Sequence, residues 1–148
     1  MARYVVSVRS PKSPEESFAY MADLTNFAQW DPGVVEVTQV DGDGAGPDSS
    51  FDVTVKGVAG NLTLRYVTTA YDEPSSLTAV AKSSMLKSVD IITVAPDQAG
   101  SVVTYDAELT LNGLLGLADI ALRPVFNRIG DKAAAGLIAA LDGERVGV

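Results

Sequence analysis

Ser13–Pro32, SPEESFAYMADLTNFAQWDP, is the stretch whose reading decides the fold. Ser13 with Glu16 three residues on fits a capping box, and Pro14 falls at the first helical position, where its missing N–H costs nothing. Phe18, Met21 and Ala22 then make an apolar stripe at helical spacing. A second short helix is predicted from about Leu24 to Gln29, and Trp30-Asp31-Pro32 turns the chain into a strand. Two small helices therefore stand between a first strand, Arg3–Ser10, and a second, Val34–Val40.

Downstream the pattern changes to alternation. Phe51, Val53 and Val55 interleave with Asp52, Thr54 and Lys56, the mark of a half-buried strand. Strands are also predicted at Leu62–Tyr71, Leu77–Ala81, Leu86–Val94 and Val103–Leu111, separated by turns rich in Gly, Asp and Pro. In the last, Val103, Tyr105, Ala107, Leu109 and Leu111 face one way and Thr104, Asp106, Glu108 and Thr110 the other. Successive hairpins imply an antiparallel meander with one wet and one dry face.

From about Leu115 to Leu141 the period becomes helical. Ala118, Leu122, Val125, Phe126, Ile129, Ala133, Gly136, Leu137 and Ala140 share one side, and Asp119, Arg123, Asn127 and Asp131 the opposite flank. Pro124 either kinks this helix or starts its main segment. The small residues Ala118, Ala133, Gly136 and Ala140 allow two outcomes: close packing on the sheet, or a hollow between helix and sheet where a small ligand fits.

With 148 residues the chain is the size of one domain, and 47% hydrophobic against 20% charged residues is a globular balance. A net charge of −8, with the eleven basic residues scattered singly, argues against a nucleic-acid surface. No signal peptide or run long enough for stable membrane insertion is visible, and the absence of cysteine is consistent with a cytoplasmic protein. Without His or Cys, a zinc site, a catalytic triad and the common haem ligands are not expected, and neither a metal nor a cofactor is. Acid–base work would fall to Asp, Glu, Tyr, Lys or Arg.

The chain resembles the SRPBCC superfamily of START/Bet v 1-like proteins, and within it the polyketide cyclase/dehydrase and lipid-transport group. The resemblance rests on Ser13-Pro14-Glu15-Glu16, Phe18-Ala19-Tyr20, Asn26-Phe27 and Trp30-Asp31-Pro32, then Leu64-Arg65-Tyr66, the Glu73-Pro74 turn, Gly100 to Tyr105 and the Gly113-to-Gly136 helix. It covers essentially the whole chain, 1–148, as a single ligand-binding domain. It implies an α+β helix-grip fold: a seven-stranded antiparallel sheet wrapped around the long C-terminal helix, enclosing a hydrophobic cavity. Aromatase/cyclase relatives hold a polyketide with an inward arginine and several aromatics; here no arginine clearly points inward, and Arg65 should face solvent.

Asp90 shares parity with Ile92 and Val94, so it either points into the concave face or lies solvated near the strand's open end. Tyr66 and Tyr105 are pocket candidates or core tyrosines with protein partners. Trp30 lines the pocket or plugs its end; Asp31 is read as a turn residue; Arg123 reaches the rim or pairs with Asp119. The expected ligand wall is Trp30, Phe51, Val53, Val55, Tyr66, Asp90, Ile92, Val94, Tyr105, Leu109, Leu122, Phe126 and Ile129. A carrier or sensor of a lipid, fatty acid or polyketide-like molecule is the preferred reading. A metal-free cyclase or dehydratase using Asp90 or Tyr105 comes second, and a protein-interaction module docking through the Trp30 turn third.

Overall fold

The computed structural model describes residues 1–57, 60–113 and 119–147. Eight strands form one antiparallel sheet: β1 (Ala2–Ser10), β2 (Val34–Asp41), β3 (Ser50–Gly57), β4 (Gly60–Asp72), β5 (Ser76–Lys82), β6 (Leu86–Asp97), β7 (Gly100–Leu111) and β8 (Glu144–Val146). Their order is β2-β3-β4-β5-β6-β7-β1-β8, a meander whose last long strand returns beside the first. The helices are α1 (Pro14–Ala22), α2 (Phe27–Trp30) and α3 (Asp119–Ala140), with a 3-10 turn at Leu24–Asn26 before α2. The expected seven strands thus become eight. β8 has only three residues, too few to show alternation, and it forms because β1 would otherwise leave an unpaired edge.

The α1 entrance is built as its sequence dictates. Ser13 Oγ accepts from the Glu16 N–H at 3.1 Å, and Glu16 Oε1 accepts from the Ser13 N–H at 3.2 Å. Phe18 is fully buried and meets the Tyr71 ring edge-on at 5.4 Å between centroids. Beneath it the Ser17 and Ser101 hydroxyls pair at 2.7 Å, which satisfies two buried polar groups at the α1–β7 junction.

Helix α3 decides where the interior is solid and where it is hollow. Its backbone comes close to β1 and α2, not to the middle of the sheet. Both approaches depend on glycine: a Cβ on Gly130 would run into the Tyr4 ring, and one on Gly136 into the Trp30 carbonyl. Ala133, Ala134 and Leu137 are buried in this half of the helix, as is Leu141 just beyond it, and Ser10 Oγ donates to the Leu141 carbonyl at 2.6 Å. Toward its N-terminal end Leu122, Val125 and Phe126 are only half-buried and stand off the sheet. Of the stripe's small residues, Ala133 and Gly136 thus fall in close packing, and the helix stands off where it carries the larger Leu122, Val125 and Phe126. The expected start at Leu115, the residue Ala118 and the Asp119 side chain lie outside the described residues.

Candidate functional site

Between the sheet and the N-terminal half of α3 lies a cavity of about 570 Å³. Its wall is mostly carbon: Val53 and Val55 from β3, Leu62 and Leu64 from β4, Ala107 and Leu109 from β7, with Leu122, Phe126 and Ile129 of α3 as the roof. It reaches the surface at Lys56, Gly57, Ile129 and Lys132, which are exposed; Ile129 is 45% accessible.

Four polar side chains interrupt the apolar wall at its buried end. Ser88 and Asp90 are inward neighbours on β6, flanked by Tyr66 of β4 and Tyr105 of β7. The Tyr105 hydroxyl donates to Asp90 Oδ2 at 2.8 Å, and the Tyr66 and Ser88 hydroxyls pair at 2.7 Å. Asp90 is 4% exposed, so the buried alternative for this residue holds over the solvated one. Burial pushes its carboxyl up to about 7; the Tyr105 and Ser88 hydrogen bonds oppose that, while the Asp31 and Asp106 charges add to it. Burial likewise pushes the Tyr66 and Tyr105 hydroxyls above their ordinary range, with the Asp90 charge adding to both. Asp31 lines the same cavity from the α2–β2 turn, where its Oδ1 accepts from the Gly33 N–H at 2.8 Å. Burial raises its pKa, and that backbone bond pulls it back.

Of the wall read from the sequence, Val53, Val55, Tyr66, Asp90, Tyr105, Leu109, Leu122, Phe126 and Ile129 line the cavity. Phe51, Ile92, Val94 and Trp30 do not; all four are buried in the solid part of the core. Trp30 is the plug of the two alternatives. It stacks on Phe27 at 4.7 Å, meets the Tyr105 ring edge-on at 5.2 Å, and turns its carbonyl to Gly136. With Met21, Leu24, Ile92, Asp90 and Tyr105 it surrounds a second hollow of about 10 Å³, room for one water at most, that shares Asp90 and Tyr105 with the cavity. Its 4% exposure leaves no tryptophan surface for a protein partner to dock on.

The arginines stay outside, as expected for Arg65, which forms a two-bond pair with Asp52 on the solvent face. Arg123 donates to the Met1 carbonyl at 3.3 Å and does not line the cavity. Tyr4, Phe27, Asp31, Ser88 and Lys132 line it without having been singled out for it. Ser88 was legible, since it shares the inward parity of Asp90; Tyr4 and Phe27 depend on how α2 and α3 cross β1. Among the described residues no cluster of acidic side chains is arranged to hold a metal ion. No helix of the described residues is long and apolar enough to cross a membrane.

The family described as polyketide cyclase/dehydrase and lipid transport matches residues 1–142. Among solved structures, a START superfamily protein from Mycobacterium smegmatis superposes with a TM-score of 0.74 at 12% identity, covering 95% of this chain and 96% of the other. A protein from Thermus thermophilus gives 0.72 at 13% identity, with 92% of each chain covered. The di-domain ARO/CYC StfQ of the steffimycin biosynthetic pathway gives 0.67 at 12% identity, with 95% of this chain covered; the chain spans 50% of its length. At such identities the likeness is one of fold. Among curated proteins none matches the chain by sequence.

Proposed function

The chain belongs to the polyketide cyclase/dehydrase and lipid-transport family, and from that premise we propose that it binds one hydrophobic small molecule between the sheet and α3, as a carrier or sensor. The observation that carries this reading is the cavity itself. At roughly 30 Å³ per non-hydrogen atom, the liquid volume of a water, 570 Å³ accommodates about 19 such atoms. Because the cavity opens to the surface, water left in it would face chiefly carbon walls and lose hydrogen-bond partners. A lipid, fatty acid or polyketide-like compound replaces that deficit with buried apolar contact, and Ile129 gives an entering chain an apolar rim.

Native mass spectrometry of the protein purified from its own host, followed by extraction, tests the reading. A retained adduct of about 200–350 Da is expected, from the ~19-atom capacity. An empty protein that also fails to bind 1-anilinonaphthalene-8-sulfonate would overturn it.

One observation favours a second reading, a metal-free cyclase or dehydratase. A carboxyl held near 7 beside a tyrosine hydroxyl is able to give and take a proton at neutral pH. That reading requires turnover of a polyketide-like substrate that Asp90→Asn abolishes while the substrate still binds.

A further inference from the structure

We propose that the buried end of the cavity selects molecules that present an uncharged oxygen acceptor, a ketone or ester carbonyl, held by the Asp90 carboxyl that the Tyr105, Ser88 and Tyr66 hydroxyls position. The proposal rests on the ligand-binding reading above and specifies which end of the ligand goes in first. Three hydrogen bonds link four polar side chains here: Tyr105 to Asp90, Ser88 to Asp90, and Tyr66 to Ser88. The three hydroxyl protons are thus used within the cluster. The Asp90 proton, present when the acid is neutral, is left for a partner in a cavity whose other walls are chiefly carbon. A buried donor without a partner costs about 1–3 kcal/mol, so a water or a ligand oxygen must meet it.

The surroundings choose among ligand oxygens. Burial disfavours the charged form of Tyr66, Tyr105 and Asp90 alike, and Asp31 adds to each shift, so a ligand carboxylate among them would meet the same penalty. A carbonyl oxygen accepts two hydrogen bonds and brings no net charge. Because the carboxyl donates only when protonated, and its pKa lies at about 7, carbonyl binding takes up a proton and weakens as pH rises through that value. The other titratable groups around the cavity are Asp31 from the α2–β2 turn, Tyr4 from β1, Lys56 from β3, Tyr66 from β4, Tyr105 from β7 and Lys132 from α3. Asp106, on the outward face of β7, acts on Asp90 through the sheet. Asp31 is the second carboxyl, and Asp31→Asn removes its titration from the comparison.

The experiment displaces 1-anilinonaphthalene-8-sulfonate with 2-decanone, decane, decanoate and decylamine at pH 5.5 and pH 8.5. At pH 5.5 the ketone is expected to bind roughly tenfold tighter than the hydrocarbon, a difference of about 1.4 kcal/mol, and tighter than either ion. At pH 8.5 the preference should shrink several-fold, in the wild type and in Asp31→Asn alike. Asp90→Asn, which keeps an N–H donor at every pH, should make the preference independent of pH, and Asp90→Leu should abolish it. Equal binding of ketone and hydrocarbon, or tighter binding of the carboxylate or the amine, would overturn the proposal and leave the cavity reading standing. Failure of every probe would overturn the cavity reading instead.

Discussion

Replacing Asp90 by Asn should stabilise the folded protein at neutral and alkaline pH, although it alters a hydrogen-bonded residue that is 4% exposed. The reason is the cost of ionising a carboxyl in this position. Burial carries Asp90 from an ordinary 3.8 to about 7, so between those values the folded chain holds a proton that the unfolded chain has lost. Stability then changes with pH in proportion to protons bound unfolded minus protons bound folded, which is negative in this window. The contribution of the neutral acid is complete below about pH 3.8 and is lost as pH rises through about 7. At about 1.4 kcal/mol per pH unit, the loss amounts to about 4 kcal/mol by pH 8. Asn is isosteric and neutral throughout, and its side-chain oxygen still accepts from the Tyr105 hydroxyl. The two proteins should therefore be about equally stable near pH 4, with the variant ahead by about 4 kcal/mol at pH 8, a guanidinium midpoint shift of roughly 1 M. Guanidinium chloride unfolding from pH 4 to 8.5, with m-values compared, measures this directly. Parallel stability–pH curves, or a variant weaker than wild type at pH 8, would refute the assignment of Asp90 as a buried, neutral acid.

Gly136→Ala should lower stability by about 1–3 kcal/mol by thermal unfolding, because its methyl meets the rigid Trp30 carbonyl. The ~1 kcal/mol of helix propensity gained by alanine does not offset this, and a stabilised variant would refute the close approach. Ser13→Ala removes the side-chain acceptor for the Glu16 N–H and should cost about 1 kcal/mol in the same assay. Ala107→Trp projects an indole from β7 into the cavity and should weaken 1-anilinonaphthalene-8-sulfonate binding by tenfold or more, about 1.4 kcal/mol, with the circular dichroism spectrum retained. Undiminished binding there would place the probe elsewhere.

Local chemistry made much of the fold legible. The Ser13–Glu16 box and Pro14 state where α1 begins, because capping involves only neighbours along the chain. Inward and outward faces of β4, β6 and β7 were equally readable, since side chains alternate on any strand, and that parity alone turns Tyr66, Asp90 and Tyr105 toward the interior. Parity does not say how far along a strand the cavity extends. Ile92 and Val94 point inward like Asp90 yet fall in the solid core, because α1 packs on β6 and the 3-10 turn closes over Ile92. The three-residue β8 was invisible for a related reason: it is defined by the edge of β1, 135 or more positions earlier, and not by its own pattern.

The sequence by itself determined the helix caps, the strand faces, the dry side of the sheet and the list of acids and hydroxyls available to it. All of these follow from interactions over one to four residues. Tertiary structure alone decided that α3 closes down at Gly130 and Gly136 and stands away from the sheet at Leu122 and Phe126. It also brought Ser88, Asp90, Tyr66 and Tyr105 from three strands into one polar end of that space. Those outcomes depend on distances between elements far apart in the chain, and a one-dimensional pattern does not carry them. In the Ser13–Pro32 stretch, Trp30 shows the division: its neighbours along the chain place it at the end of α2, and the helix crossing behind it makes it a plug.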